Sequence, residues 1–316
     1  MLSTVILFSC GNDDDNTVAP EVLRDYATQY NTDLALIETF LNENYVENPG
    51  LSDNEPIKIS KIPAGNPGAV VKLKDDLRLR DRPVFMHGIT YKLYYLDLRN
   101  GEKTKETPTR VDEILVGYDG QYLQAESNPT QFEYVQFPSQ YIALDRVVMG
   151  WTEVFPYFKP GNTTSVDGQP TVYSDYGAGV IFIPSGLGYY NVLVEIGRGS
   201  GKYIPSYVPL MFTFKLYDMK RADHDGDGIK SFNEDLDDDG YFSNDDSDGD
   251  FIQNYRDVDD DNDAFLTKNE ILIPGSSPAA YYPYNPTSEQ PLGVPNCSGD
   301  FTTPERIRKY LDRACH

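Results

Sequence analysis

The chain has 316 residues, of which 27 are Lys or Arg, 50 are Asp or Glu and 3 are Cys. This length suits one full-sized domain with appendages or two small domains, and so few cysteines exclude a small disulfide-rich scaffold. The formal net charge of -23 argues against nucleic acid as a partner, because binding to the phosphate backbone requires patches of Lys and Arg. The apolar segment at residues 2–9 is too short to span a bilayer.

The N-terminus predicts a lipid anchor. An apolar run (VILF) ends at Ser9 and Cys10 and resembles the lipobox that is cleaved before a lipid-modified cysteine, although no Lys or Arg precedes it. Three aspartates at residues 13–15 are similar to the surface-export signal of Bacteroidota lipoproteins. We therefore expect residues 1–9 to be a signal-peptide remnant and residues 10–19 a lipidated stalk. The protein would be an outer-membrane lipoprotein at the cell surface or the periplasmic face; a buried strand with an inert Cys10 is the alternative.

A helix is predicted after this stalk. Proline at position 20 suits the first turn of a helix, where its missing N–H costs nothing. Apolar and aromatic residues then recur at spacings of three and four and form one stripe: Val22, Tyr26, Tyr30, Leu34, Ile37, Leu41 and Tyr45. We expect this stripe to pack on the chain's own body, with a dimer or partner contact as the alternative.

Short segments rich in Tyr, Val, Ile and Phe predict an antiparallel sheet in the middle of the chain. They are residues 91–98, 113–118, 179–183 and 210–217. The sequence has no Gly-x-Ser-x-Gly, Walker or His-Glu-x-x-His motif, and His87, His224 and His316 have no evident partner. Hydrolysis and phosphoryl transfer therefore lack their groups, and any reaction must proceed without a nucleophile.

Five sequence blocks become specific when they are taken together. They read YYLDLRNG at 94–101, ILVGYDG at 114–120, VVMGWTE at 147–153, IPSGLGY at 183–189 followed by IP at 204–205, and LMFTFKL at 210–216. In this order they resemble the FKBP-type peptidyl-prolyl isomerases. The resemblance implies an α+β fold in which a half-wrapped antiparallel sheet surrounds a short helix, with an apolar pocket between sheet and helix.

The resemblance also implies which residues form the pocket, with Trp151 as its floor: Tyr118, Val147, Val148, Trp151, Tyr189, Ile204 and Phe212. Rotation about an X-Pro bond crosses a barrier of roughly 18–20 kcal/mol, because amide resonance is lost in the twisted state. A dry aromatic pocket favours the less polar twisted amide, and the Tyr189 hydroxyl can hold the carbonyl oxygen without transferring a proton. This reaction needs no catalytic cofactor.

The chain departs from the family pattern at three places. Where the family commonly has Phe-Asp after the second strand, this chain has Leu123-Gln124, so we expect the carboxylate that borders the pocket to be missing. Residues 159–177 and 191–202 are longer than in a minimal family member and would flank the pocket. Residues 125–142 do not align, which leaves one wall of the pocket unassigned.

The acidic segment predicts calcium sites. Residues 223–270 contain 18 acids and 3 bases and so carry -15 of the net charge of -23. Four windows of 12 residues place acids at positions 1, 3, 5 and 12, as a hard cation that needs six to eight oxygens requires. The predicted ligands are Asp223, Asp225, Asp227, Glu234, Asp235, Asp237, Asp239, Asp246, Asp248, Asp250, Asp257, Asp259, Asp261, Asp263 and Glu270. The segment resembles thrombospondin type 3 repeats, with structural calcium as the cofactor; a disordered acidic linker is the alternative.

The tail, residues 271–316, contains Cys297 and Cys315. Export would place these cysteines in an oxidising compartment, where we expect a disulfide, and a metal site of two free thiols is the alternative. A helix is predicted over residues 304–312, because Pro304 follows Thr303 and precedes Glu305.

These observations divide the chain beyond its stalk into four parts. They are residues 20–90 (N-terminal helix and lead-in strands), 91–219 (FKBP-like domain), 223–270 (calcium-binding repeats) and 271–316 (tail). The predicted function is that of an FKBP-type isomerase that assists the folding of exported proteins and acts on proline-containing polypeptides. The alternative is a catalytically weak FKBP-like binding or scaffold subunit of an outer-membrane secretion or gliding complex, and a calcium-dependent adhesin is a third hypothesis.

Overall fold

The computed structural model describes residues 23–49, 51–53, 55–125 and 127–315. The predicted signal remnant, the stalk and Cys10 lie outside these residues. Within the described ranges, no helix combines the length and the apolar character that crossing a bilayer requires.

The regular elements are three α-helices, a set of strands and several single 3-10 turns. The helices are α1 (Tyr26–Glu43), α2 (Met149–Val154) and α3 (Thr267–Glu270). The strands are β1 (Asn44–Val46), β2 (Ile59–Lys61), β3 (Leu79–Met86), β4 (Ile89–Arg99), β5 (Glu113–Tyr122), β6 (Thr130–Val135), β7 (Ile142–Ala143), β8 (Asn162–Thr164), β9 (Val172–Ser174), β10 (Gly177–Ile183), β11 (Val194–Glu195), β12 (Tyr203–Ile204) and β13 (Leu210–Lys220). The 3-10 turns are Pro67–Ala69, Leu73–Asp75, Leu144–Arg146, Phe155–Tyr157, Ser185–Leu187, Ser231–Asn233, Asn254–Arg256 and Lys309–Leu311.

One antiparallel sheet organises the body of the molecule. Its strands follow the order β3-β4-β10-β13-β5-β6, and β7 pairs with β5. In the register of the centre, Phe212 of β13 lies opposite Ile181 of β10 on one side and Gly120 of β5 on the other. The four predicted strands correspond to β4, β5, β10 and β13. With its sheet and few helices, the body is compatible with the predicted α+β, FKBP-like fold.

Both faces of this sheet are covered, because side chains alternate between them along each strand. On β10, Ile181 and Ile183 pack in the cluster that contains α2, whereas Val180 and Phe182 pack in the cluster that contains α1. Every residue of β10 is consequently buried. The body therefore has three layers, with α1 outside the sheet and α2 on its inner side.

Helix α1 packs on the chain's own body. It begins at Tyr26, later than Pro20 predicted, because the carboxylate of Asp25 caps it by accepting a hydrogen bond from the Thr28 N–H at 2.8 Å. Ile37 and Leu41 are fully buried against the sheet. Tyr45 lies beyond the helix, in β1.

The sheet includes a strand, β3, that precedes residue 91, the predicted start of the FKBP-like domain. Strand β3 pairs with β4 along its whole length, from Met86 opposite Ile89 to Leu79 opposite Leu96. The two strands are joined by a tight turn in which a residue pair, 87–88, has positive φ values of 54° and 74°. The edge strand β3, which lies in the segment of predicted lead-in strands, is therefore an integral part of the sheet.

The C-terminal segments are mostly irregular. The arm, residues 223–270, contacts the body through a small apolar cluster of Val111, Phe242 and Tyr255. The prediction of a helix over residues 304–312 is wrong, because the only helical element in this range is a 3-10 turn at Lys309–Leu311. The chain before that turn is irregular, and the Arg306 guanidinium donates to the Val294 carbonyl at 2.7 Å. A disulfide joins Cys297 to Cys315, whose Cα atoms are 5.5 Å apart.

Candidate functional site

A cleft of about 670 Å³ opens beside α2 on the inner side of the sheet. Six of the seven predicted pocket residues line it: Tyr118, Val147, Val148, Trp151, Tyr189 and Phe212. The seventh, Ile204, is buried in the same hydrophobic cluster but is not among the lining residues in the part of the chain that the structure describes. Side chains from distant stretches of sequence therefore meet in one cleft.

Trp151 lies at the floor of this cleft and is only 3% exposed. Its ring centroid lies 5.0 Å from that of Tyr118 and 5.1 Å from that of Phe212, with interplanar angles of 85° and 82°. Edge-to-face contacts of this kind are the arrangement that aromatic quadrupoles favour. The indole is thus held rigidly, with a side chain of β5 and a side chain of β13 around it.

Two glycines make this packing possible. A Cβ on Gly150, the residue before Trp151, would lie 2.6 Å from the Ile183 side chain, so only glycine lets α2 approach β10 this closely. A Cβ on Gly120 would lie 2.8 Å from the rings of Phe132 and Phe212. The glycines in the GYDG and MGW motifs therefore serve the close packing of the aromatic side chains.

The opposite wall of the cleft carries Tyr189, which follows the 3-10 turn Ser185–Leu187. The ring of Phe132 lies between this wall and the floor, because its centroid is 6.5 Å from that of Tyr189 and 5.6 Å from that of Phe212. Burial, and after it the charge of Glu133, raises the pKa of Tyr189. The Tyr189 hydroxyl therefore stays protonated at neutral pH and is available as a hydrogen-bond donor.

A carboxylate borders the cleft from a position other than the family's. Leu123 is buried on the other face of the sheet, in the cluster with α1. Strand β6, which lies within the unaligned residues 125–142, instead brings Glu133 to the cleft, opposite Gly120 of β5. Burial, and after it the charge of Glu133, raises the pKa of Tyr118. The alternating segment TQFEYV was the sequence signal that could have located this strand.

Helix α1 contributes to one end of the cleft. The ring of Tyr26 stacks between His87, at a centroid distance of 3.8 Å, and Tyr190, at 4.3 Å, and all three residues line the cleft. Further along α1, the buried carboxylate of Asp33 accepts hydrogen bonds from the Ser185 N–H at 2.7 Å and the Ser185 hydroxyl at 2.6 Å. The helix therefore fixes the turn that precedes Tyr189.

The two long insertions have different places. Residues 191–202 contribute Val192 to the rim of the cleft, where this side chain is 59% exposed. Residues 159–177 contain the β8–β9 hairpin, which is not among the cleft-lining elements of the described chain. Neither insertion fills the cleft.

The four predicted calcium windows share one local backbone conformation. In each window the residues at positions 4 and 6 have positive φ: Gly226 and Gly228, Asp238 and Gly240, Gly249 and Phe251, Asn262 and Ala264. The position-5 carboxylates, Asp227, Asp239, Asp250 and Asp263, each accept a hydrogen bond from the N–H two residues later, at 2.6–2.7 Å. The windows are therefore structural repeats as well as sequence repeats.

Carboxylates gather at every window. The acids at positions 1, 3 and 5 approach to within 4.8 Å of one another in four groups: Asp223, Asp225 and Asp227; Asp235, Asp237 and Asp239; Asp246, Asp248 and Asp250; Asp259, Asp261 and Asp263. Oxygen-only donors in such groups suit calcium. Burial, and after it the charges of Asp261 and Asp263, raises the pKa of Glu270 to about 8.

Sequence reasoning missed two buried acids of the arm. Asp245 is 5% exposed. Burial, and after it the charges of acids in the second window, raises its pKa to about 6. Asp260, which is 1% exposed, lies with Asp227 and Glu234 rather than with the acids of its own window. Of the predicted closing residues, Asp257 and Glu270 lie in none of the close carboxylate groups among the described residues, and Glu234 groups with Asp227 and Asp260 rather than with Asp223 and Asp225. The fixed spacing of 12 residues could not locate contacts between windows.

Comparisons with known proteins address separate parts of the chain. Residues 224–294 match the family model described as BamM C-terminal, and comparison with curated proteins finds no match. A solved peptidyl-prolyl cis-trans isomerase from Pseudomonas syringae pv. tomato is similar to this chain, with 20% identity, coverage of 47% of this chain and 85% of that one, and a TM-score of 0.32.

Two further solved structures are similar to this chain. FkpA from Escherichia coli has 24% identity, with coverage of 41% of this chain and 48% of that one and a TM-score of 0.28. The N-terminal domain of FKBP42 from Arabidopsis thaliana has 13% identity, with coverage of 45% and 92% and a TM-score of 0.31.

Proposed function

We propose that this protein is an FKBP-type peptidyl-prolyl cis-trans isomerase. The observation that carries the proposal is the cleft itself, in which the packed rings of Trp151, Phe212 and Tyr118 form an apolar floor and Tyr189 also lines the cleft. The five FKBP-like sequence blocks support the same function, since they contain the three floor residues and Tyr189.

The chemistry follows from what such a cleft stabilises. A planar X-Pro amide has a strongly polar carbonyl that water hydrates well, whereas the twisted amide is less polar. Aromatic walls exclude water and so favour the twisted state relative to the hydrated planar one. The Tyr189 hydroxyl donates a hydrogen bond to the substrate carbonyl, and the charge of Glu133 lies beside the Tyr118 hydroxyl at the rim. No bond is broken, which agrees with a site built without a nucleophile.

The test is a proline-peptide isomerisation assay on the soluble chain. We expect Trp151→Ala to abolish activity and Tyr189→Phe to lower kcat/KM about tenfold, the effect of one hydrogen bond of ~1.4 kcal/mol. Tyr134→Phe is the matched control, because Tyr134 lies on β6 but does not line this cleft. An isomerisation rate equal to the uncatalysed rate for the wild-type chain would remove the enzyme hypothesis.

We propose further that lipidated Cys10 anchors the protein to the outer membrane, where it assists the folding of exported proteins. Uncatalysed proline isomerisation takes on the order of 10–100 s, so catalysis is useful to chains that fold after export. Cell fractionation of wild-type and Cys10→Ala chains tests the anchor. A Cys10→Ala chain that remains in the membrane fraction would contradict it.

Structural calcium in the arm is part of the same proposal. Its support is the repeated backbone of the four windows and the position-1, 3 and 5 carboxylates that each window gathers. The calcium would balance acids that otherwise repel one another and would stiffen the arm.

One observation favours the alternative of a catalytically weak binding or scaffold subunit in an outer-membrane secretion or gliding complex. Val192 and Leu193, in the insertion beside the cleft, are 59% and 67% exposed. Apolar side chains exposed next to a binding cleft suit contact with a protein partner. Co-purification of a partner in mild detergent, together with an inactive cleft, would favour this alternative.

A further inference from the structure

Three acids from two different calcium windows meet inside the arm. Asp227 and Glu234 belong to the first window and Asp260 to the fourth, and their carboxylate oxygens lie within 4.8 Å of one another. Their exposed fractions are 2%, 1% and 1%. Three like charges held together out of water repel one another strongly unless something of opposite charge lies between them.

The chain itself does not provide that charge. Within the described ranges, no Lys, Arg or His forms an ion pair with any of these three carboxylates. Glu234 has no hydrogen-bond partner at either carboxylate oxygen. This acid is thus buried with both of its oxygens free, which is rare in proteins unless a ligand binds there.

The other two acids divide their oxygens between the protein and the centre of the group. Asp227 accepts a hydrogen bond from the Ile229 N–H through Oδ1, at 2.7 Å, and its Oδ2 has no partner. Asp260 accepts from the Thr267 hydroxyl through Oδ2, at 2.6 Å, and its Oδ1 has no partner. Each carboxylate is therefore oriented by one protein contact, and four oxygens of the group remain free.

We propose that Asp227, Glu234 and Asp260 bind a divalent cation of their own, calcium by the chemistry of the donors, and that this ion joins the first window to the fourth. The inference rests on the proposal that the arm binds calcium, and it adds a site between windows to the sites within them. Asp227 belongs to this group and to the position-1, 3 and 5 group of the first window, so its carboxylate lies between two cation positions.

The tail lies close to this group. Tyr310 is 1% exposed and packs with Ile229, Ile271 and Val294. Burial, and after it the charges of Tyr284, Asp260 and Glu234, raises the pKa of Tyr310. Ile229, which packs against Tyr310, donates its N–H to Asp227 of the proposed site. An ion at this site therefore lies near the Tyr310 ring, and it links the two ends of the arm beneath the tail.

The first experiment counts calcium ions bound by the full soluble chain in equilibrium dialysis. We expect Asp260→Asn to bind one equivalent fewer than wild type, because Asp260 belongs to no other carboxylate group of the described chain. Asp238→Asn is the matched control: it removes the same charge from an exposed position of the arm, and it should bind as many ions as wild type. Equal numbers for wild type and Asp260→Asn would overturn this inference alone, whereas a wild-type chain that binds no calcium would overturn the calcium arm as well.

A second experiment remains informative if Asp260→Asn does not fold. Terbium replaces calcium at oxygen sites, and bound terbium emits when a nearby tyrosine is excited. We expect Tyr310→Phe to lose part of the tyrosine-sensitised emission while it binds as much terbium as wild type. Tyr281→Phe, in the same tail, should keep the full emission. Equal emission from wild type and Tyr310→Phe would place no ion beside Tyr310 and overturn the proposal.

Discussion

Arg110 donates two hydrogen bonds to the carboxylate of Glu153, at 3.2 Å to Oε1 and 3.0 Å to Oε2. Glu153 is 1% exposed and lies on α2, two residues after Trp151. The same Arg110 guanidinium donates to the Gly240 carbonyl in the acidic arm, and Arg82 binds both Glu153, at 2.5 Å, and the Tyr241 hydroxyl, at 3.1 Å. Two arginines therefore connect the helix at the floor of the cleft to the second acidic window, residues 235–246.

The first prediction concerns Glu153→Gln. Breaking a buried ion pair costs about 3–5 kcal/mol, so we expect a destabilisation of this size at neutral pH, measured by urea unfolding. Burial alone would raise the pKa of Glu153, but hydrogen bonds and charge from Arg110 and Arg82 lower it. The ionised form is therefore favoured by folding, and its contribution is full above the unfolded value of 4.5 and is lost as the pH falls through the folded pKa.

The pH dependence supplies the control for that prediction. The difference in unfolding free energy between wild type and Glu153→Gln should be constant from neutral pH down to about 4.5 and should shrink below it. A difference that shrinks above pH 5 would assign the effect to a different group.

The second prediction concerns the carboxylate at the rim of the cleft. Glu133→Gln should lower kcat/KM for a prolyl peptide by roughly three- to tenfold, since it removes the negative charge that lies beside the Tyr118 hydroxyl in the cleft. Asp119→Asn, on β5 but outside this cleft, is the control and should keep wild-type activity. If Glu133 only positions Tyr118, then Tyr118→Phe and the double variant should have the same kcat/KM. An additive loss would assign Glu133 a separate role.

The third prediction concerns the contact between α1 and the turn before Tyr189. Asp33→Ala leaves the buried N–H and hydroxyl of Ser185 without their acceptor, and it removes one of the two acceptors of the Gln29 side-chain amide, which keeps its bond to the Tyr207 carbonyl. We expect the free energy of unfolding to fall by about 2–4 kcal/mol. Thr39→Ala, at an exposed position of α1, should change it by less than about 0.5 kcal/mol. Equal thermal midpoints for the two variants would show that α1 docks without this contact.

The fourth prediction concerns backbone strain in the fourth window. Ala264 has a φ of +75°, a conformation that costs a residue with a Cβ about 1–2 kcal/mol relative to glycine. Ala264→Gly should therefore stabilise the calcium-bound arm by about 1 kcal/mol, seen as a higher midpoint for protease release of the arm. Ala279→Gly, at a position without positive φ, should give no gain. A lower midpoint for Ala264→Gly would contradict the strain argument.

The fifth prediction concerns removal of calcium. We expect a chelator to expose the chain after Met219 to protease, because the acids of the windows would repel one another without cations. Potassium chloride at equal ionic strength is the control, since screening by salt does not replace a coordinated ion. Identical cleavage patterns in calcium and in chelator would contradict a structural role of the ion.

The sequence predicts the centre of the fold better than its edges. Strands β10 and β13 are covered on both faces and so have long apolar runs, which makes them easy to recognise. The edge strands β3 and β6 are largely exposed, and β3 contains Pro83 and several charges. The charges and Pro83 obscure the pattern of β3, and the alternation in β6 is short, so the sequence alone does not assign Glu133 to the pocket.

The site shows the same limit. The pocket aromatics could be found because each lies in a local motif with a defined order along the chain. Asp260 could not be found, because its neighbours Asp227 and Glu234 come from another window and only the folded arm brings them together. Spacing along the chain describes contacts within a repeat, and contacts between repeats depend on tertiary structure.

The position of α1 and β3 decides how far the protein can be shortened. A fragment that starts at residue 91 would lose both elements, leave β4 as an open edge and uncover Tyr94 and Phe182 on the outer face. Open edges and bare aromatic faces lead to aggregation. Expression of the chain from Leu23 onward retains the whole sheet and the helix α1 that covers its outer face. The smallest fragment worth purifying is therefore considerably larger than the five sequence blocks alone suggest.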